Sequence, residues 1–137
     1  MSTGLEGLPA LGIRRCAVED AASSTRLEAV CVSCGDDLVV VVGGGERYHV
    51  GAAALAISIP SLRDPATRTS SSSLVSVPGH KEEDLARDGS LALSRALERN
   101  VVMTVGIHDD GITKERIRGY VELFGRLVDE IARDQRR

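Results

Sequence analysis

Apolar and polar positions alternate through the first half of the chain and recur at three- to four-residue spacing in the second. Strands are therefore expected first and helices afterwards. Residues 14–18 read as a weak first strand, and residues 25–34 as a clearer one with Leu27, Ala29 and Cys31 on one face. A turn at Gly35-Asp36 leads into residues 37–42, a β-branched run suited to a packed, pleated surface. Gly43-Gly44-Gly45 is expected to close a second hairpin onto a long Ala-rich strand over residues 48–59, which would complete an antiparallel meander. Residues 60–73 carry Pro60, Pro65 and the serines Ser70 to Ser73, and residues 61–73 are expected to form a mobile loop, either a plain linker or a cover for a ligand.

A short strand over residues 74–77 stops at Pro78-Gly79. Residues 81–99 then predict a helix, with Glu82, Glu83 and Asp84 in its first turn, Arg95 and Arg99 in its last, and Asn100 as its C-cap. Its apolar stripe is partial (Leu85, Leu91 or Ala92, Ala96 and Leu97), and Gly89 is a weak point. Residues 101–107 read as a buried strand. Thr113 reads as the N-cap of a last helix to about residue 132, in which Ile117, Tyr120 or Val121, Phe124, Leu127 or Val128, and Ile131 recur at helical spacing. Strands followed by β-α-β-α make an α+β fold: a mainly antiparallel β-sheet flanked by two C-terminal helices.

The chain has 137 residues and 14.5 kDa, 42% apolar and 27% charged, the balance of a single globular domain over residues 1–137 with a flexible segment at 1–10. A net charge of −3 argues against nucleic acid as a partner, which calls for a basic excess. Aromatic residues make up 2%, with no Trp, so a base-stacking platform is excluded and a planar ligand would be held by aliphatic groups and backbone. The longest nearly apolar run, residues 50–59, falls short of the roughly 20 residues that span a bilayer. Residues 1–10 carry no leader pattern, so a cytoplasmic location is expected. The odd set Cys16, Cys31 and Cys34 points to free thiols. Cys31 and Cys34 are three apart in a strand and point to opposite faces, which favours plain thiols over a metal or redox pair.

Candidate chemistry gathers at strand ends. His49, His80 and His108 each lie within two residues of a glycine. His80 and His108 stand at strand-to-helix junctions, where backbone N–H groups and the helix dipole favour an anion, and Lys81 and Lys114 occur at the same helix starts. These histidines also suit simple capping, and Asp109-Asp110-Gly111 suits a plain turn. Three histidines, or two with an aspartate, suit a metal as residue types, but no HxH or HxxxH pair fixes such a site. There is no GxSxG elbow, P-loop or GxGxxG.

Four blocks together resemble a known family: Gly35-Asp-Asp-Leu-Val-Val-Val-Val, Tyr48-His-Val-Gly-Ala-Ala-Ala-Leu-Ala, Val77-Pro-Gly-His-Lys-Glu-Glu-Asp-Leu-Ala, and Val105-Gly-Ile-His-Asp-Asp-Gly-Ile-Thr-Lys-Glu. They are similar to the LpdD-like chaperones of prenylated flavin, small proteins associated with gallate decarboxylases of the UbiD type. The resemblance spans about residues 36–131, and the third and fourth blocks are its specific part. It implies a non-catalytic homodimer with a fold like proteasome assembly chaperones 3 and 4. Such a protein binds reduced prenylated FMN as cargo and passes it to UbiD-family decarboxylases. The matching positions are His49 and Gly51; Pro78, Gly79, His80 and Lys81; and Gly106, Ile107, His108, Asp109 and Thr113. Tyr48 and Gly111 depart from the family pattern, in which Pro and Asn are usual there.

The expected cofactor-binding set is thus His49, Gly51, Pro78, Gly79, His80, Lys81, His108, Asp109, Thr113 and Lys114, with no catalytic residue and no metal. Two alternatives stay open at the level of sequence. One is an assembly factor that binds a decarboxylase or another protein without flavin. The other is a small metal-dependent hydrolase or lyase using His49, His80 and His108, with Asp109 or Asp110 as base.

Overall fold

A computed structural model describes residues 11–78 and 82–136. The elements follow in the order β1 (Gly12–Asp20), β2 (Thr25–Cys34), β3 (Asp37–Gly45), β4 (Ala52–Pro60), β5 (Arg68–Ser76), α1 (Glu83–Leu97), β6 (Val101–His108) and α2 (Lys114–Gln135). The strands form one sheet in the spatial order β1-β2-β3-β6-β4-β5. Neighbours are antiparallel except β3 and β6, which run parallel from Leu38 opposite Val101 to Gly45 opposite His108. The α+β expectation holds.

The meander ends at β3, however, and the second hairpin does not form. β3 continues through Gly43, Gly44 and Gly45, and β6 is inserted between β3 and β4. The chain leaving β3 has to cross β6 to reach β4, and it crosses where Gly43 pairs with Gly106. The Tyr48 ring occupies the space a side chain on Gly43 would take, and the His49 carbonyl occupies that of Gly106. These glycines give clearance to a crossing chain rather than turning a hairpin.

The expected loop over residues 61–73 is also corrected. A tight turn, closed by Ser61 N–H donating to the Thr67 carbonyl at 2.9 Å, leads straight into β5, which pairs along the whole of β4. The serines belong to this strand. Ser70 donates to Ser94 Oγ on α1 at 2.8 Å, so two small hydroxyls satisfy each other at the sheet–helix contact.

α1 buries Ala86, Gly89, Ser90, Leu93 and Ser94, while Leu85 and Leu97 sit at the margin of the core. The small face, Gly89 included, lets the helix lie close to the sheet. Its C-cap is Glu98, with φ 53°, not Asn100, whose side-chain oxygen instead accepts from Ser58 N–H at 3.0 Å. Thr113 caps α2 as expected, accepting from Arg116 N–H at 3.2 Å. Tyr120, Leu123, Phe124, Leu127, Val128 and Ile131 face the core from α2, whereas Ile117 and Val121 are exposed.

Both helices pack on one face of the sheet, α2 over β1 and β2, α1 over β4, β5 and β6. That face supplies alternate residues of each central strand, such as Leu27 and Ala29, Val40 and Val42, Ala54 and Met103. Among the described residues no helix lies on the other face. The register aligns Ile13, Val32, Val39, Val102 and Leu55 in one row across it, and Val30, Val41, Thr104, Ala53 and Val75 in the next. Ile13 is 66% and Val75 76% exposed, so an aliphatic surface faces solvent. Among the described residues no helix is long and apolar enough to cross a membrane.

Candidate functional site

Strand direction gathers several element ends at one edge. β5 and β6 are both antiparallel to β4, and β3 is parallel to β6. β3, β5 and β6 therefore finish at the edge where β4 begins. α1 follows β5 and α2 follows β6, so both helices start there, each with the positive end of its dipole. His49 stands just before β4 and His108 ends β6. Their ring centroids lie 6.1 Å apart with the planes at 83°.

A carboxylate missing from the expected set lies beside them. Glu82, just before α1, is 7% exposed. Its Oε1 accepts from Ile107 N–H at 3.2 Å and lies 3.0 Å from His49 Nε2. Gly51 makes room for it, since a side chain at residue 51 would collide with Glu82 Oε2. The Gly51 backbone ties the start of β4 to both neighbouring strands: its N–H donates to the Val105 carbonyl at 2.9 Å, and its carbonyl accepts from Val77 N–H at 2.8 Å.

His108 belongs to a more open group. Its Nε2 lies 2.9 Å from Asp110 Oδ1 and 2.9 Å from an Arg47 guanidinium nitrogen, and Arg47 donates to Asp110 Oδ1 at 3.2 Å. The hydrogen bond from His108, then the Arg47 charge, hold the Asp110 carboxyl below its ordinary range. The His108 carbonyl accepts from Glu46 N–H at 2.8 Å and Arg47 N–H at 3.2 Å, fixing the start of the crossing segment.

Asp109, expected in the cofactor-binding set, is engaged inside the protein. It turns inward and is 7% exposed. Oδ1 accepts from Glu46 N–H at 3.0 Å; Oδ2 accepts from Arg116 Nε at 3.0 Å, Arg116 Nη2 at 2.8 Å and the Tyr120 hydroxyl at 2.8 Å. Burial pushes this carboxyl up, but the bonds from Arg116, Tyr120 and Glu46 outweigh it and the net shift is downward. Arg116 also donates to the Ser23 carbonyl at 2.8 Å, so the same group anchors the β1–β2 turn. Asp109 is a structural clamp.

The structure thus brings together His49, Gly51 and His108, and adds Glu82, Arg47 and Asp110. Pro78 lies exposed in the turn after β5, and Thr113 and Lys114 are exposed at the start of α2. Among the described residues no hydrogen bond or ion pair joins Thr113 or Lys114 to either histidine. Gly79, His80 and Lys81 lie outside the described residues. Glu82 was missed because an acid at a helix start reads as a dipole partner; only the pairing of β4 with β6 shows that it is covered. Gly111, with φ 61°, holds a left-handed conformation that Asn also adopts, so the departure there is conformationally neutral.

The three cysteines are free. Burial lifts the Cys31 thiol to about 11, and Cys34 is exposed. Among the described residues no group of three or more His, Cys, Asp or Glu is arranged to hold a metal ion. Two surface depressions lie elsewhere, one along β1 and β2 at Arg15, Arg26 and Glu28, the other at Asp20, Ser23, Glu115 and Arg118.

Comparison with protein families gives a match to the prenylated flavin chaperone LpdD-like domain over residues 21–136. Comparison with curated proteins gives no match. Among solved structures, the fold is similar to a chain of a chaperone complex for yeast 20S proteasome assembly. The TM-score is 0.52 at 12% identity, with 88% of this chain and 94% of that chain covered.

Proposed function

The chain belongs to the prenylated flavin chaperone LpdD-like family, and from that premise we propose that it binds reduced prenylated FMN without transforming it and passes it to apo-decarboxylases of the UbiD family. The observation that carries the reading is the convergence of two helix starts with His49 and His108 at one sheet edge. A flavin phosphate suits helix N-termini, whose unpaired N–H groups and dipole favour an anion. Lys81 and Lys114, near those helix starts in sequence, add charge. The imidazoles of His49, His80 and His108 carry ring nitrogens able to donate or accept at the polar edge of an isoalloxazine ring. Gly51 shapes the start of β4 beside His49 and Pro78 lies in the turn after β5, Thr113 caps α2, and Gly79 joins the set through its place in the family's pattern alone; Asp109 supports the loop behind.

A carrier has to release what it holds. An open edge suits that task better than a closed cavity, and of the two depressions described neither is lined by a histidine, while the second borders the first turn of α2 at Glu115 and Arg116. The aliphatic sheet face fits the rest of the reading. It is the surface we assign to self-association as a homodimer, because a contiguous apolar face on a small domain is usually covered. Free thiols fit a reducing cytoplasm.

The test is cofactor transfer. Under anaerobic conditions, an apo-decarboxylase of the UbiD type is given limiting reduced prenylated FMN with and without this protein, and its activation is followed. The protein should raise the rate or yield of activation, and a His49→Ala/His108→Ala variant should lose the effect by roughly tenfold, the scale of one charge-assisted hydrogen bond. Activation that is the same without the protein contradicts the proposal. Enhancement that survives in the variant would move the activity from flavin carriage to assembly of the decarboxylase.

A further inference from the structure

We propose that Glu82 is the positioning residue of this site: it fixes the His49 ring against the end of β6 and so sets the geometry in which cargo is held. For its binding readout the inference rests on the flavin-carrier reading; for its structural readout it stands alone.

Glu82 occupies the N-cap position of α1, yet its side chain makes no capping hydrogen bond. An acid serving only the helix dipole would stay in water near the first turn. This one is buried beneath the start of β4. A carboxylate is costly to bury unless it is paired and hydrogen-bonded. Here it accepts from Ile107 N–H on β6 at 3.2 Å and lies 3.0 Å from His49 Nε2. The space it fills is the space that Gly51 leaves open. The starts of α1 and β4 and the end of β6 therefore meet at one side chain.

His49 is the side chain on which this contact acts. Its backbone is set by the crossing, where its carbonyl rests on Gly106. Its ring orientation is a matter of two side-chain torsions, and the Glu82 carboxylate is a neighbour that bears on both. Glu82 Oε1, 3.0 Å from Nε2, lies against one edge of the ring, and the adjacent His108 ring, edge-on at 6.1 Å, limits its other orientations.

Two variants act on this contact by different routes. Glu82→Gln keeps an oxygen for Ile107 N–H but removes the charge facing His49. Gly51→Ala leaves the carboxylate intact and displaces it sterically. Each is made in the full chain labelled with 15N-histidine, with the His49 ring signals assigned through His49→Gln. Long-range 1H–15N spectra report ring tautomer and environment, and anaerobic titration with reduced prenylated FMN reports affinity. Both variants should shift the His49 ring signals most, leave the backbone spectrum folded, and weaken binding by roughly tenfold. If Gly51→Ala is too destabilised to study, Gly51→Ala/Glu82→Ala removes the collision; it should regain stability while binding stays weak, which a purely structural role would not give.

Unchanged His49 signals in both single variants overturn the proposal, as does unchanged affinity despite a shifted ring. If the wild-type protein does not bind reduced prenylated FMN at all, the carrier reading falls with the cargo half of this inference, and the ring signals alone decide whether Glu82 holds His49.

Discussion

Replacing Asp109 with Asn separates a structural clamp from a cofactor ligand. The wild-type carboxylate accepts four hydrogen bonds, three of them at Oδ2, from Arg116 Nε, Arg116 Nη2 and the Tyr120 hydroxyl. An Asn placed with its oxygen toward Glu46 N–H keeps the bond at Oδ1 and sets an NH2 group against the other three donors. A hydrogen bond to a charged group contributes about 1.5–3 kcal/mol, but the three do not add, because the Arg116 side chain is 36% exposed and regains water. Tyr120 is 4% exposed and does not. The expected loss is about 3 kcal/mol, or a fall in Tm on the order of 10 °C for a domain of this size.

The acid dependence follows from the sign of the shift. The folded-state carboxyl lies below its ordinary value, so its contribution is present above the unfolded pKa near 4 and is lost as pH falls through the lower folded value. The gap in stability between wild type and Asp109→Asn, measured by urea unfolding from neutral pH downward, should therefore stay wide to about pH 5 and close below about pH 4. A loss under about 0.5 kcal/mol at neutral pH, the scale of an ordinary surface change, or a gap that widens in acid, would refute the clamp. Retained cargo affinity in the folded variant would set Asp109 apart from the ligands.

Two further outcomes test other parts of the account. Leu55→Asp places a charge in the middle of the open aliphatic face, beside Val102 in the register; light scattering should show a dimeric wild type and a monomeric, folded variant, and a wild type that is already monomeric removes the role assigned to that face. Thiol labelling at neutral pH should modify the exposed Cys34 first and Cys31 only on unfolding, because burial holds the Cys31 thiol near a pKa of about 11; equal rates for the two would contradict the strand orientation of β2.

Some of this architecture is plain in the sequence and some is hidden, for identifiable reasons. α2 is legible because Thr113 is a good cap and the apolar spacing from Tyr120 to Ile131 is unbroken. β2 and β3 are legible because alternation and β-branching agree there. Gly43 to Gly45 misleads because local signals say turn, whereas what matters is a chain passing overhead, set by residues more than sixty positions away in β6. The serine run misleads in the same way: low complexity reads as a loop until Ser94 is seen opposite Ser70.

The site shows a parallel division. His49 and His108 are visible as histidines beside glycines at strand ends, and topology draws them together. Asp109 has the right residue type in the right block, and only the placement of Arg116 and Tyr120 in the first and second turns of α2 shows what its oxygens bond in the fold. Glu82 is invisible as a buried group because burial of an acid at a helix start depends on what lies above it. Gly51 gains its meaning only from Glu82.

The most direct measurement is an anaerobic titration of the purified protein with reduced prenylated FMN, with oxidised FMN as the control. Saturable binding of the reduced prenylated form, without comparable binding of oxidised FMN, is the predicted result. Failure to bind either form would contradict the carrier function and leave the family's fold without its cargo.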